Sequence, residues 1–269
     1  MRLPQPFNTA VWPKALRPAA QALWDWHEHL AHREARAFEA ADRHAFLDAE
    51  CAQVEEGAEL RVVPAPVAEA AYAVCRTHSL PTALLAEQVR AAVSLSAPLR
   101  FESYAELQGF VQQWAGSHAR LLARLAGYTG GWQVRYVDVL ARAFFLTGRL
   151  VYLPDDLARD HLFIPLDELR QAEVTVEQLR AGTVDEALRR LLWKQAVRIR
   201  DAFAQGQNLG NDMPRGHARV FKRWWLGGLE VVNQIERRGY DVWSQPLTLS
   251  PVHRFRVRMQ ALVGKTSFR

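Results

Sequence analysis

Cysteine is scarce in this chain: Cys51 and Cys75 are the only thiols in 269 residues, and they form no CxxC pair. That excludes a disulfide-stapled scaffold and a zinc ribbon, and two isolated thiols are expected to be reduced, as in a cytoplasmic protein. Long apolar runs are missing too. Nothing approaches the roughly 20 uninterrupted apolar residues of a membrane span. The opening Met1-Arg2-Leu3-Pro4 run has no apolar core and no small-residue cleavage site, so no secretory signal is expected. Strand patterning is nearly absent, with Leu60-Arg-Val-Val63 as the one short candidate. The chain has no zinc-finger spacing and no RNP-like segment, and its arginines are scattered among Asp and Glu, so nucleic acid is not an expected partner despite a net charge of +5. A nucleophile elbow and a reactive-cysteine context are both lacking, so no Ser/His/Asp or Cys/His triad can be assigned.

What the chain does have is apolar and aromatic bulk. Apolar residues make up 49% and charged residues 23%, with nine Trp and twelve Phe, enough to build a substantial core. Helix follows helix, punctuated by Pro and Gly. Apolar spacing runs through Leu23, Trp26 and Leu30, then a charged helix is expected to about Glu56. After Pro64-Ala-Pro66 a helix is expected from Val67 to Thr77, and another through Val89 and Val93. The clearest amphipathic stripe joins Leu107, Phe110, Val111, Trp114, His118, Leu121, Leu122 and Leu125, with Ser103 and Glu106 at capping-box spacing. Further helices are expected over Val134–Val151, from a Thr183 cap to Gly206, over Arg215–Arg238, and after Pro251, while Gln205–Pro214 reads as a loop. No repeat and no linker separates domains, so residues 1–269 read as one all-α domain.

Several segments resemble the squalene/phytoene synthases, which join two prenyl diphosphates head to head. Arg100-Phe-Glu-Ser-Tyr-Ala-Glu-Leu107, followed by Phe110 and Ala115-Gly116, is similar to that family's tyrosine-containing entry into a central helix. Ala143-Phe-Phe-Leu-Thr147 and Phe163-Ile-Pro165-Leu-Asp-Glu-Leu169 align without a gap to its second signature. Ile235-Glu236 and Gly239-Tyr-Asp-Val-Trp243 look like its closing segment. The likeness runs over roughly residues 70–262 and is weak over the first 60. It implies an isoprenoid-synthase-type helical bundle around a central apolar channel. In that channel Phe110, Trp114, Phe144, Phe145, Thr147 and Tyr152 would face a prenyl tail.

Head-to-head condensation starts by ionising an allylic diphosphate, whose concentrated charge calls for Mg²⁺ held by carboxylates on facing helices. The chain departs from the family at those places. The gapless alignment puts Gly148 at the usual Asn and Tyr152 at the first Asp, and only Asp156 survives as the second; Phe145 replaces a Gln, and Asp160-His161 replaces a Gly-Arg pair. The first motif's acids correspond to Ala31, His32 and Ala35, and the first 60 residues hold no Asp-Asp pair. A tyrosine phenol is protonated at neutral pH and cannot replace a carboxylate on a hard cation. Asp155, Asp156 and Asp160, just after Pro154, read either as a magnesium motif moved by one turn or as an ordinary acidic helix start. Asp25, Glu28, His29 and His32 share a helix face, and read either as a transition-metal site or as a solvated stripe.

Three functions follow. First is a relative that has lost magnesium-dependent condensation, needs no cofactor, and binds a prenyl lipid or a protein partner; a mitochondrial complex I assembly factor of the same family also lacks intact aspartate motifs. Second is an active prenyltransferase on farnesyl or geranylgeranyl diphosphate, with Mg²⁺ ligands relocated to Asp155, Asp156 and Asp160. Third is a metal enzyme centred on Asp25, Glu28, His29 and His32. His118 reads as a hydrogen-bonded core histidine or a base. Trp224-Trp225 beside Arg223 reads as core or as a peripheral membrane contact.

Overall fold

The structure is a computed structural model that describes residues 12–32, 65–95 and 97–263. The Leu60–Val63 strand candidate, the charged helix toward Glu56, Cys51 and Ala35 lie outside the described residues. Helix α1, Arg17–His32, buries Ala20, Leu23, Trp26 and Leu30, the three- and four-residue spacing that puts one stripe inward. Helices α2, Ala65–Thr77, and α3, Ala83–Ser94, pack on α1 through Ala71 and Cys75 and through Leu85 and Val89. Burial pushes the Cys75 thiol up to about 12, so it behaves as a small apolar residue.

The expected central helix is interrupted. Helix α4, Tyr104–Val111, gives way to a π turn over Gln112–Gly116 before α5, Ser117–Leu125. The wide turn displaces the stripe, yet Trp114 and His118 both remain buried. The capping box forms by half. Ser103 Oγ accepts from Glu106 N at 3.4 Å, while the Glu106 carboxylate accepts from the amide of Glu102 at 2.7 Å, one residue earlier than the motif requires.

Helix α6, Gly131–Val151, starts three residues earlier than its apolar pattern predicts. It is followed by α7, Leu153–Ala158; α8, Leu166–Gln171; α9, Val176–Ala181; and α10, Glu186–Gly206. Thr175 and Gln178 form a full capping box on α9, and Gly182 at φ +68° ends it in the left-handed region. The cap of α10 is Asp185 rather than Thr183, because its carboxylate accepts the Leu188 amide at 2.8 Å. Gln207–Asp212 is a 3-10 helix where the glycines suggested a loop; α11, Arg215–Arg237, and α12, Pro251–Val263, complete the chain. Gly228 on α11 lies against Phe203 and Phe144, where a Cβ would collide with the Phe203 ring. Among the described residues there is no strand, only an isolated bridge between Leu99 and His161.

The described chain groups into two compact units, each built from separated segments. The first draws on residues 12–32, 65–95, 97–98 and 109–138, and the second on residues 99–108 and 139–263. In the first unit the Arg120 guanidinium grips Asp138 with two bonds, of 2.6 and 2.7 Å. In the second, residues 99–102 are stitched to 160–167 by backbone bonds, among them Leu162 N to Leu99 O at 2.8 Å and Leu166 N to Phe101 O at 2.9 Å.

Candidate functional site

The second-signature residues lie at the α6–α7 junction in the second unit. The backbone descends in steps of about one turn: Tyr152 N donates to Gly148 O, Asp156 N to Tyr152 O, and His161 N to Asp156 O, each at 2.9 Å. Pro154 and the acids Asp155 and Asp156 open α7 as its first turn, the arrangement favoured by the helix dipole. Asp155 is exposed, whereas Asp156 is 2% exposed.

The Asp156 carboxylate is engaged from its own neighbourhood. Its Oδ1 accepts from Arg149 Nη1 at 2.8 Å, and its Oδ2 has no hydrogen-bond partner in the protein. Burial pushes the acid up to about 6, opposed by the charges of Arg149 and Arg159 and aided by Asp155. Arg149 in turn lies 5.4 Å from the Phe145 ring centre and 5.2 Å from that of Phe163, and those two rings meet edge to face at 5.4 Å. The guanidinium that meets this acid is therefore packed against two aromatic rings. The cavity beside them, lined by Leu150, Leu153, Phe163 and Ile199, has a volume of about 10 Å³, room for no more than one water.

These side chains do not suit a divalent cation. Gly148 offers no ligand. Burial raises the Tyr152 phenol further, outweighing the charge of Arg149, so it stays neutral. Asp160, at φ +59°, is ion-paired with Arg100 and Arg180 at 2.6 Å each, and the Arg100 hydrogen bond is the main cause holding it below the usual carboxylate range. Among the described residues no three of His, Cys, Asp and Glu are grouped as a metal would need.

The other positions named from the sequence are dispersed. Thr147 is fully buried, its hydroxyl donating to Ala143 O at 2.7 Å, and Phe144 meets Phe203 edge to face at 5.0 Å. In the first unit Phe110 and Trp114 are buried. Asp25 is exposed and accepts from Gln21 Nε2 at 2.8 Å; Glu28 and His29 are half-buried, and the His32 side chain lies outside the described residues. Trp224 is core, and Trp225 donates its indole N–H to Phe203 O at 2.8 Å.

Two polar clusters were not singled out from the sequence. In the first unit His27 stacks on His118 at 4.1 Å and 16°, with Trp114 at 4.4 Å from His27 and Trp24 edge-on to His118 at 4.9 Å. His27 Nδ1 bonds Gln88 Oε1 at 2.9 Å, and since that oxygen accepts, Nδ1 carries the proton. Burial lowers His27 to about 4 against the Gln88 bond and the Glu28 charge, and burial with the His27 charge puts His118 well below its ordinary value. Neither nitrogen of His118 has a hydrogen-bond partner in the protein, so the expected hydrogen-bonded core histidine is instead a buried ring held by stacking. In the second unit Glu168, buried on α8, accepts from Gln195 at 2.6 Å and from Arg198, with Lys194 at 3.7 Å. Burial pushes this carboxyl up, but the hydrogen bonds and charges of Arg198, Gln195 and Lys194 outweigh it and leave it below the ordinary range. Paired spacings hinted at the first cluster, an aromatic and a His on one helix face at 24 and 27 and again at 114 and 118. Nothing local marked the second.

Comparison with known proteins adds the family. Over 147 residues, 54% of this chain, it is 37% identical to a phytoene synthase of Thermus thermophilus, and over 124 residues 29% identical to the bifunctional protein CrtB/UppS of Streptomyces coelicolor. Those matches span 49% and 22% of the relatives' own lengths. The fold is similar to that of the squalene synthase HpnC from Alicyclobacillus acidocaldarius, with a TM-score of 0.76 at 22% identity over 87% of this chain and 88% of the other. It is also similar to a dehydrosqualene synthase solved with ligand, with a TM-score of 0.77 at 14% identity over 94% of this chain and 88% of that one. Residues 6–259 match the family described as squalene/phytoene synthase, and the chain is a member of that family with its isoprenoid-synthase-type helical fold.

Proposed function

We propose that this chain is a non-catalytic member of its family that binds an isoprenoid chain without ionising a diphosphate. The observation that carries the reading is the state of Asp156: the one acid kept at the second signature is buried and paired with Arg149, whose guanidinium packs on Phe145 and Phe163. An oxygen already neutralised by a guanidinium has little left for a divalent cation, and Gly148 and Tyr152 supply no second carboxylate. The helical fold needs none of those acids, so apolar binding survives their loss. Purified protein given farnesyl diphosphate and Mg²⁺ is expected to release no diphosphate. It is expected to bind the prenyl diphosphate with an affinity that EDTA leaves unchanged. Steady turnover to a C30 or C40 hydrocarbon would overturn the reading, and failure to bind any prenyl probe would remove its ligand.

A second reading rests on the 37% identity to a protein named phytoene synthase. Here the chain is a working prenyltransferase with Asp155, Asp156 and Asp160 in the metal role. It requires Mg²⁺ to tighten diphosphate binding and Asp156→Asn to abolish product formation.

A further inference from the structure

The described surface carries six exposed large apolar side chains, and four of them belong to α12: Val252 at 74% exposure, Phe255 at 64%, Met259 at 41% and Leu262 at 61%. Single exposed apolar residues need no explanation, but four on one 13-residue helix do. Their spacing of three, four and three places them in one stripe along the helix. The opposite side is anchored on α11, where Val257 and Ala261 are buried. Buried Glu230 of α11 holds Arg256 at 2.8 Å and lies 3.5 Å from the His253 ring, with Arg237 at 3.0 Å completing the clasp. The apolar stripe is thus held outward by a helix fixed on its other face.

We propose that this face of α12 docks on the surface of an anionic lipid bilayer. Charge selects that occupant. The helix contains Arg254, Arg256 and Arg258 and no acidic residue; on the helical wheel Arg254 and Arg258 run along one edge of the stripe, while Arg256 on the other is held by Glu230. An apolar face with Phe and Leu, edged by arginines, is the pattern of a helix lying in the headgroup boundary. The helix is too short to cross: among the described residues no helix is long and apolar enough to span a membrane. A second copy of the chain fits less well. A two-fold contact would set the arginine edges against one another, and a stripe of a few hundred Å² falls short of the ~800 Å² per partner of a stable interface. The net charge of +5 acts in the same direction as the local arginines.

The test is co-sedimentation with vesicles of pure phosphatidylcholine and of phosphatidylcholine mixed with phosphatidylglycerol. The protein is expected to sediment with the anionic vesicles at low salt and to be released as salt rises. Phe255→Ser with Leu262→Ser is expected to weaken binding at least tenfold with unchanged circular dichroism. Arg254→Gln with Arg258→Gln is expected to weaken it several-fold and flatten its salt dependence. No binding to anionic vesicles at low salt would overturn the proposal, as would undiminished binding of the double serine variant. A dimer seen by light scattering that the serine variant abolishes would give the face to a second copy instead.

Discussion

The two units bury ionisable groups in opposite ways. In the second unit the buried acids keep their charge and are met by arginines: Glu168 by Arg198, Glu230 by Arg237 and Arg256, and Asp156 by Arg149. In the first unit two imidazoles, His118 buried and His27 half-buried, have no ion pair and give up their protons against the weaker pull of the Glu28 charge, packed among Trp24 and Trp114 with one hydrogen bond to Gln88. Pairing makes the second unit sensitive to losing one partner, whereas neutralisation makes the first sensitive to acid. Asp156 stands between the two cases: it is paired, but through one oxygen only, and burial still wins by raising its pKa.

The largest effect is expected where pairing is most complete. Glu168→Ala leaves Arg198 and Lys194 facing a buried gap and is expected to cost about 3–5 kcal/mol in urea unfolding. A loss below about 1 kcal/mol would show that Arg198, stacked 3.7 Å from the Tyr104 ring centre, is content without its acid. Arg149→Met is expected to come next, at about 2–4 kcal/mol above pH 7, because it strands the Asp156 charge. The loss is expected to shrink below pH 5, where the acid takes a proton, and Arg149→Met with Asp156→Leu is expected to recover most of it. An additive double variant would break the pairing account.

The pH response sharpens the comparison. His27 titrates at about 4 in the fold against 6.5 ordinarily, so its contribution is present above pH 6.5 and lost as pH falls toward 4. Asp156 titrates at about 6 against 3.8, so in much the same window the fold takes up its proton first and stability rises as pH falls. His118→Phe keeps a ring in the stack and removes two buried nitrogens without partners. It is expected to add about 1 kcal/mol at pH 7 and to flatten the decline between pH 6.5 and 4. Asp156→Asn is expected to steepen that decline. Equal slopes in wild type and His118→Phe would place the acid sensitivity elsewhere.

Much of the helical order was legible because it follows from apolar spacing and end signals. Leu23, Trp26 and Leu30 are buried as their periodicity requires, and Pro154 with its following acids starts a helix. The departures have local causes that compete with those signals: a π turn at Gln112–Gly116, a nearer cap at Asp185, and a 3-10 helix through Gly210. The candidate site was legible only as a substitution pattern. The resemblance is what sets Gly148 and Tyr152 where an Asn and an Asp are expected, and that expectation comes from the letters. That Arg149 reaches Asp156 across a helix break does not, because the break at Tyr152 sets the angle between α6 and α7.

The sequence by itself determined the helical class and the family, since periodicity and residue identity are properties of the letters alone. Only the tertiary structure decided which polar groups meet: Glu168 with Arg198 and Gln195, His27 with His118 and Gln88, Arg256 with Glu230. Those pairs join residues 26 to 91 positions apart, and all but the last come from non-consecutive helices. Ion pairs and ring stacks depend on a few ångströms of separation, and separation across helices is fixed by packing.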